Sequence, residues 1–220
     1  MKRLIRLMAA AFICGLMFVN CGGSGGSGGG KELDKNEFLG NMPNLIYQQS
    51  LIDSIRNAER NEKMSKLDGN SKSDLEKASK IAEKFSTREE KERKAFEAKL
   101  EEAKAELLGK DIPYEVENGT GCEITSCKII GIDGNGVNVK VEVKITDAKS
   151  ANINRYGEFI DFTKQDMDKD GNPISGVGLC RFDLSGKTDG ATGKKSTYIS
   201  IYGDNIEQYV NFAKLKFIKD

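Results

Sequence analysis

The 220-residue chain sets 34 basic against 34 acidic residues and contains neither histidine nor tryptophan. Balanced charge argues against nucleic acid or a polybasic membrane-surface role. The missing histidine removes Ser-His-Asp and Cys-His catalysis and the commonest zinc and non-haem iron sites. No serine has lysine three residues on, which removes the Ser-x-x-Lys hydrolases too. Only an enzyme built on carboxylates or lysines would survive, and the expectation is a protein that is not an enzyme.

The first twenty residues read as an address. A basic start (Lys2, Arg3, Arg6) precedes an apolar run from Leu7 to Val19, too short to span a bilayer comfortably but fitting a signal-peptide core. Cys21 closes it, and Gly22–Gly30 follows as a Gly/Ser tether with a reach of roughly 15–20 Å. Phe18-Val19-Asn20-Cys21 resembles the lipobox of bacterial lipoproteins, with Phe18 where leucine is usual and Asn20 where a small residue is usual. The resemblance implies residues 1–20 as a removed signal peptide, Cys21 carrying diacylglycerol and an acylated amine, and membrane lipid as its partner. Multiple acyl chains would hold a soluble domain durably. Gly22 after the cysteine implies the outer membrane by the enteric sorting rule. Without the leader's three basic residues, 31 basic face 34 acidic, a formal charge of −3.

Residues 21–41 read as lipidated cysteine and loose tether, and 42–109 as a helical hairpin. Pro43 suits a helix start, and Leu45, Ile46, Leu51, Ile52, Ile55 and Ala58 keep helical spacing. Leu67-Asp68-Gly69-Asn70 reads as a turn. A second helix starts near Ser71 or Ser73, where Ser73 and Glu76 fit a capping box, and runs to Leu108 before Gly109. Its stripe is Leu75, Ala78, Ala82, Phe85, Phe96, Leu100, Ala103 and Leu107, with Glu89 and Glu92 in the middle steps. Thr87 and Glu90 form a second capping box, so a break near Ser86 is one reading. The hairpin is read either as a partner-binding coiled coil or as a spacer or lid.

After Asp111-Ile112-Pro113 the chain turns Gly-rich and alternating. Val137, Val139, Val141, Val143 and Ile145 alternate with polar residues, a strand with one buried face. Ile124–Ile132 feeds it through the turn Asp133-Gly134-Asn135-Gly136. Further strands are expected at Glu158–Thr163, Gly178–Leu184 and Thr197–Tyr202. Tyr209–Ile218 fits both periods, and strand is preferred. The expected class is α+β: a helical hairpin, then an antiparallel β-sandwich of immunoglobulin-like size over 113–220. This layout loosely resembles uncharacterised lipoproteins of Bacteroidetes-type bacteria, a likeness of layout that brings no functional residues.

Four candidate sites remain. Asp166, Asp168 and Asp170 before Gly171 and Asn172 resemble the first half of an EF-hand loop, where alternating carboxylates converge on calcium. Pro173 and Ile174 follow and Val177 occupies the twelfth position, so a hairpin turn explains the same residues. Tyr198, Tyr202 and Tyr209 would make either an aromatic platform for sugar or peptide, or packing residues. With Cys21 lipidated and Cys14 discarded, Cys122, Cys127 and Cys180 remain: either Cys127 and Cys180 form a bridge across strands, or all three are buried thiols. Ser185–Ser196 contains two Gly-Lys pairs, but Arg181 and Thr188 stand where a phosphate-binding loop needs glycine, so a mobile surface loop is expected. The functional expectation is a non-catalytic lipoprotein that binds an envelope or surface protein. The alternative is a carbohydrate- or ligand-binding accessory lipoprotein assisted by calcium.

Overall fold

A computed structural model describes residues 31–67, 71–174 and 178–219. The leader, Cys21, the tether to Gly30, the turn residues Asp68–Asn70 and Val177 lie outside the described residues. The chain divides into units 1–32 and 33–220, and the architecture below is that of the second.

The α+β class holds. Among the described residues, two helices, α1 (Met42–Met64) and α2 (Lys72–Leu107), precede seven strands: β1 (Tyr114–Val116), β2 (Cys122–Asp133), β3 (Gly136–Ile145), β4 (Phe159–Asp168), β5 (Gly178–Leu184), β6 (Thr192–Ser200) and β7 (Phe212–Lys219). A 3₁₀ helix, Gly203–Asn211, joins β6 to β7. The strands form a single mixed sheet in the order β1-β7-β4-β5-β6-β3-β2, antiparallel except at β1–β7, where two facing antiparallel sheets were expected.

The sheet nearly closes because one segment serves both of its edges. Ile112 N donates to Cys127 O and Ile129 N to Lys110 O, so residues 110–112 lie along β2. The same chain then leaves β2 and pairs in parallel with β7, Tyr114 against Leu215. Pro113 sits at the switch; it has no N–H to lose, and its carbonyl accepts from Leu215 N.

Alternation dictates what fills the interior. Val137, Val139, Val141 and Val143 on β3 are fully buried, and Ile160, Phe162, Phe182, Ile199, Leu215 and Phe217 join them from other strands. Phe162, Phe182 and Phe217 meet edge-to-face with centroids 5.8–6.4 Å apart, the arrangement aromatic quadrupoles favour.

One end of the sheet carries Asp133, Gly136, Asp168, Ser200 and Phe212, the strand termini that adjoin the 3₁₀ helix. Leu33, Leu39, Met42, Leu45, Ile46, Ala103, Leu107, Ile206 and Tyr209 belong to the same core as the strand interior. The opposite end is made of the β1–β2, β3–β4 and β5–β6 connections. Thr146 and Asp147 N–H groups donate to Gly121 O, and Ala148 N donates to Asp189 Oδ1. Gly121 has φ +69, and a Cβ there would stand 2.4 Å from Asp147 O and 2.5 Å from Ala151 N, so no other residue fits.

Several expectations change. Residues 33–41 are packed rather than a loose tether. Leu33 and Leu39 are buried, and the Asn36 amide donates to Val210 O (3.0 Å) and Phe212 O (2.8 Å) while its Oδ1 accepts from the Phe38 and Leu39 N–H groups. Ser71, not Ser73, caps α2, accepting from Asp74 N at 3.0 Å. α2 runs through Ser86 unbroken because Thr87 turns its hydroxyl back to Glu83 O instead of capping. The ambiguous C-terminal run resolves in favour of both periods: the 3₁₀ helix takes Ile206 and Tyr209, and β7 takes Phe212 onward. Thr192–Ser196, expected in a mobile loop, belongs to β6 and is registered against β3.

Candidate functional site

The residue pattern of β4 produces the most unusual feature of the interior. Its inward phase reads Ile160, Phe162, Lys164, Asp166, two apolar side chains followed by two charged ones. Phe217 and Leu215 on β7 are their cross-strand partners. Lys164 is 7% exposed and Asp166 1%, with Nζ to Oδ1 at 2.6 Å.

A buried ion pair loses hydration on both partners and survives only when further hydrogen bonds complete it. Here Lys164 Nζ also donates to Tyr198 O on β6 at 3.0 Å, and Tyr209 OH donates to Asp166 Oδ2 at 2.8 Å. The reach to β6 has a topological cause. The pairing of β5 with β6 registers only at Asp183–Lys194 and Leu184–Gly193, whereas β5 pairs with β4 over six residues. The ammonium thus satisfies a β6 carbonyl beyond the short paired stretch. Tyr209 in turn fastens the 3₁₀ helix to β4. Among the described residues no buried side-chain polar atom lacks a partner.

The two interior thiols belong to the same neighbourhood. Cys127 and Cys180 are each 1% exposed, and Cys122 is half-buried; all three are free thiols. Burial pushes the Cys127 thiol up to about 12, with Cys180 adding to the rise and Lys164 opposing it. Burial likewise raises Cys180 to about 11, against Lys164 and a hydrogen bond from Thr197, and raises Cys122 to about 11. None is a thiolate near neutral pH, so none is a nucleophile there.

The other sequence candidates separate. Asp166 points inward to Lys164 and Tyr209, while Asp168 accepts from the Asp170 and Asn172 N–H groups in its own turn. Those backbone donors, Asn172 first, hold the Asp168 carboxyl below its usual range. The structure therefore brings Asp168 and Asp170 into one turn and sends Asp166 elsewhere; among the described residues no group of His, Cys, Asp or Glu is arranged to hold a metal.

The tyrosines diverge too. Tyr209 is fully buried, Tyr202 is exposed, and Tyr198 is half-buried with its hydroxyl on Asp133. Burial and that carboxylate both raise the Tyr198 phenol above its usual value. An open depression of about 540 Å³ lies at the seam, lined by residues that include Phe38, Ile112, Pro113, Tyr114 and Cys127; its lining includes none of Lys164, Asp166 and Tyr209.

A second polar cluster joins α1 to α2. Arg56 is 7% exposed and meets Glu92 and Asp53 at 2.7 Å and Glu89 at 3.6 Å. Arg88 meets Glu59 at 2.8 Å and Glu92 at 2.7 Å. Lys63 Nζ lies 5.1 Å from the Phe85 ring centroid. The acidic step in the α2 stripe at Glu92 is therefore matched by a buried arginine on α1, while Leu75, in the same expected stripe, is 62% exposed.

Arg56 and Lys164 were missed from sequence, and Asp166 was singled out only as a calcium ligand, not as the partner of a buried lysine. The usable signal was phase: Lys164 and Asp166 continue the inward alternation of Ile160 and Phe162, and opposite charges at i and i+2 on that phase point to a buried pair. Comparison with protein-family models, curated proteins and solved structures gives no match for the chain.

Proposed function

We infer that the chain is a non-catalytic binding protein of the bacterial envelope, held to the outer membrane by acylated Cys21 and meeting its partner through a helical arm. The observation that carries the binding role is the surface of α2. At 1.5 Å per residue its 36 residues extend about 54 Å. Only Phe85, Ala103 and Leu107 along it are buried.

The antiparallel order of contacts, 56 with 92, 59 with 88 and 63 with 85, supports reading α1 and α2 as a helical hairpin. Towards Lys72 such an arm would present Leu75, Ala82 and many charges to solvent, the composition of a surface that docks against protein. Lys164, Asp166 and Tyr209 support a role without chemistry, because each is engaged by an internal partner and none lines the depression at the seam.

Two experiments test the reading. Cys21→Ser should move the protein from the membrane to the soluble fraction and abolish labelling by radioactive palmitate; continued tight membrane association refutes lipid anchoring. A photo-crosslinking amino acid at Leu75 or Ala82 in intact cells should yield a discrete higher-mass adduct. The same probe at Tyr156 on the loop end serves as the contrast, and adducts there but not on α2 refute the arm as the docking element.

A further inference from the structure

We propose that Asn118 is a modification site: its side-chain amide is lost by spontaneous deamidation in the folded protein, through attack by the Gly119 nitrogen. The chain contains two Asn-Gly steps, Asn118-Gly119 and Asn135-Gly136. Both asparagines are exposed, so what separates them is the peptide plane that must turn.

In the β2–β3 hairpin that plane is fixed. Asn135 O accepts from Ile201 N at 2.7 Å, and Asn135 N donates to Asp133 Oδ1 at 2.8 Å. Gly136 is buried and registered against both Asp133 and Ser200. A Cβ on Gly136 would stand 2.0 Å from Ile199 O, so β6 covers it closely.

In the β1–β2 connection the plane is free. Among the described residues, the Asn118 side chain, the Asn118 carbonyl and the Gly119 N–H make no hydrogen bond. Gly119 is exposed with φ +78, and a Cβ placed on it would meet nothing within 4 Å. No contact there resists the rotation that brings the Gly119 nitrogen onto Asn118 Cγ, and glycine has no Cβ to obstruct the attack.

The Gly119 nitrogen bonds to Asn118 Cγ, the Cγ–Nδ2 bond breaks, and Nδ2 leaves as ammonia with the Gly119 proton. A five-membered succinimide remains, and water opens it at either carbonyl. Breaking the new bond gives aspartate. Breaking the original bond to Gly119 gives isoaspartate, with the chain running through Cβ and Cγ. No electron is transferred. The ends of the connection are held: Glu117 N donates to Phe217 O at 2.9 Å, and the buried Thr120 hydroxyl bonds both Cys122 N and Cys122 O. The added backbone atom of isoaspartate is therefore taken up at 118–119, and either product adds a negative charge beside Glu117.

The test incubates the full chain, folded, at 37 °C and pH 8, beside the same protein in urea. Trypsin places Asn118 on peptide 111–128 and Asn135 on peptide 129–140, so liquid chromatography with mass spectrometry reads both from one digest, against a sample taken at time zero. In the folded protein, peptide 111–128 should give way to two separable products, each carrying the mass of an acid in place of an amide at Asn118. Asn135 should convert more slowly by on the order of tenfold or more, because its peptide plane must first be released from the sheet. In urea the two rates should converge, and Asn118→Gln should leave its peptide unmodified, since its ring would need a sixth member. An Asn118 that keeps its amide in the folded protein overturns the proposal, as does conversion no faster than that of Asn135.

Discussion

Removing one charge from the Lys164–Asp166 pair should cost far more than removing both. Asp166→Leu leaves the Lys164 ammonium buried with the Tyr198 carbonyl and no counter-charge, and Lys164→Met leaves the Asp166 carboxylate without its cation. Breaking a buried pair from one side costs about 3–5 kcal/mol, because the survivor cannot recover its hydration. The double variant Lys164→Met/Asp166→Leu removes that penalty. It gives up the hydrogen bonds to Tyr198 O and from Tyr209 OH, each worth about 1–2 kcal/mol to lose. New apolar contacts with Phe162, Leu215 and Phe217 offset part of that loss. The double should therefore sit about 1–3 kcal/mol below wild type, against a sum of about 6–10 for the singles. Urea melts followed by far-UV circular dichroism measure all four corners of the cycle, with unchanged m-values confirming a common unfolding transition. Additive single costs, or a single substitution costing less than about 1 kcal/mol, would refute a desolvated ion pair at this place.

Other outcomes are equally specific. Arg56→Ala should destabilise α1 and α2 by about 2–3 kcal/mol, since Glu92 and Asp53 lose a nearly buried partner, and the loss should shrink in 1 M salt; melts at two salt concentrations check it. Gly121→Ala should cost about 3 kcal/mol or more and disturb the loop end, read from the melting midpoint and from faster proteolysis between 146 and 158, because its Cβ would collide with backbone on both sides. The raised thiols give a pH signature: the unfolded chain ionises near the ordinary 9.0 while the folded thiols hold their protons to about 11 and 12. For the reduced protein, stability is therefore complete below pH about 9 and falls as pH climbs through that window, which a urea midpoint series from pH 7 to 10.5 would show. In the same reduced state a thiol reagent at pH 8 should label Cys127 and Cys180 at the rate of global unfolding.

The strands were legible where alternation was clean. Valine at every second position of β3 leaves one arrangement, and its partner across the Asp133–Gly136 turn follows from it. Legibility failed where a charged residue took an apolar phase. The strand expected to stop at Thr163 continues to Asp168 because Lys164 and Asp166 satisfy each other inside, a pairing visible only once β5, β6 and the 3₁₀ helix are in place. β1 was unreadable for a different reason: its three residues have no period, and only contacts with distant β2 and β7 define it. The single curled sheet, in place of two facing ones, depends on that same short segment. Among the candidate sites, local turn chemistry at Asp168–Asn172 was correctly one of the two readings, whereas convergence of three aspartates or three tyrosines required knowing which way each strand faced.

The segment that serves both edges of the sheet also sets the order in which the fold can be completed. Its β7 contacts join residues separated by about 100 positions, a long loop to close before any contact rewards it. β4 waits on β7 as well, since their register spans Phe162–Asp168. A chain emerging from a ribosome or a translocation pore can form α1, α2 and the β2–β3 hairpin early, but it cannot seal the sheet until Phe212–Lys219 has arrived. Until then Lys164, Asp166 and the cysteines stand open to water and to other proteins. The molecule therefore spends its synthesis in a form that can still be threaded, oxidised or captured, and loses all three susceptibilities in one late step.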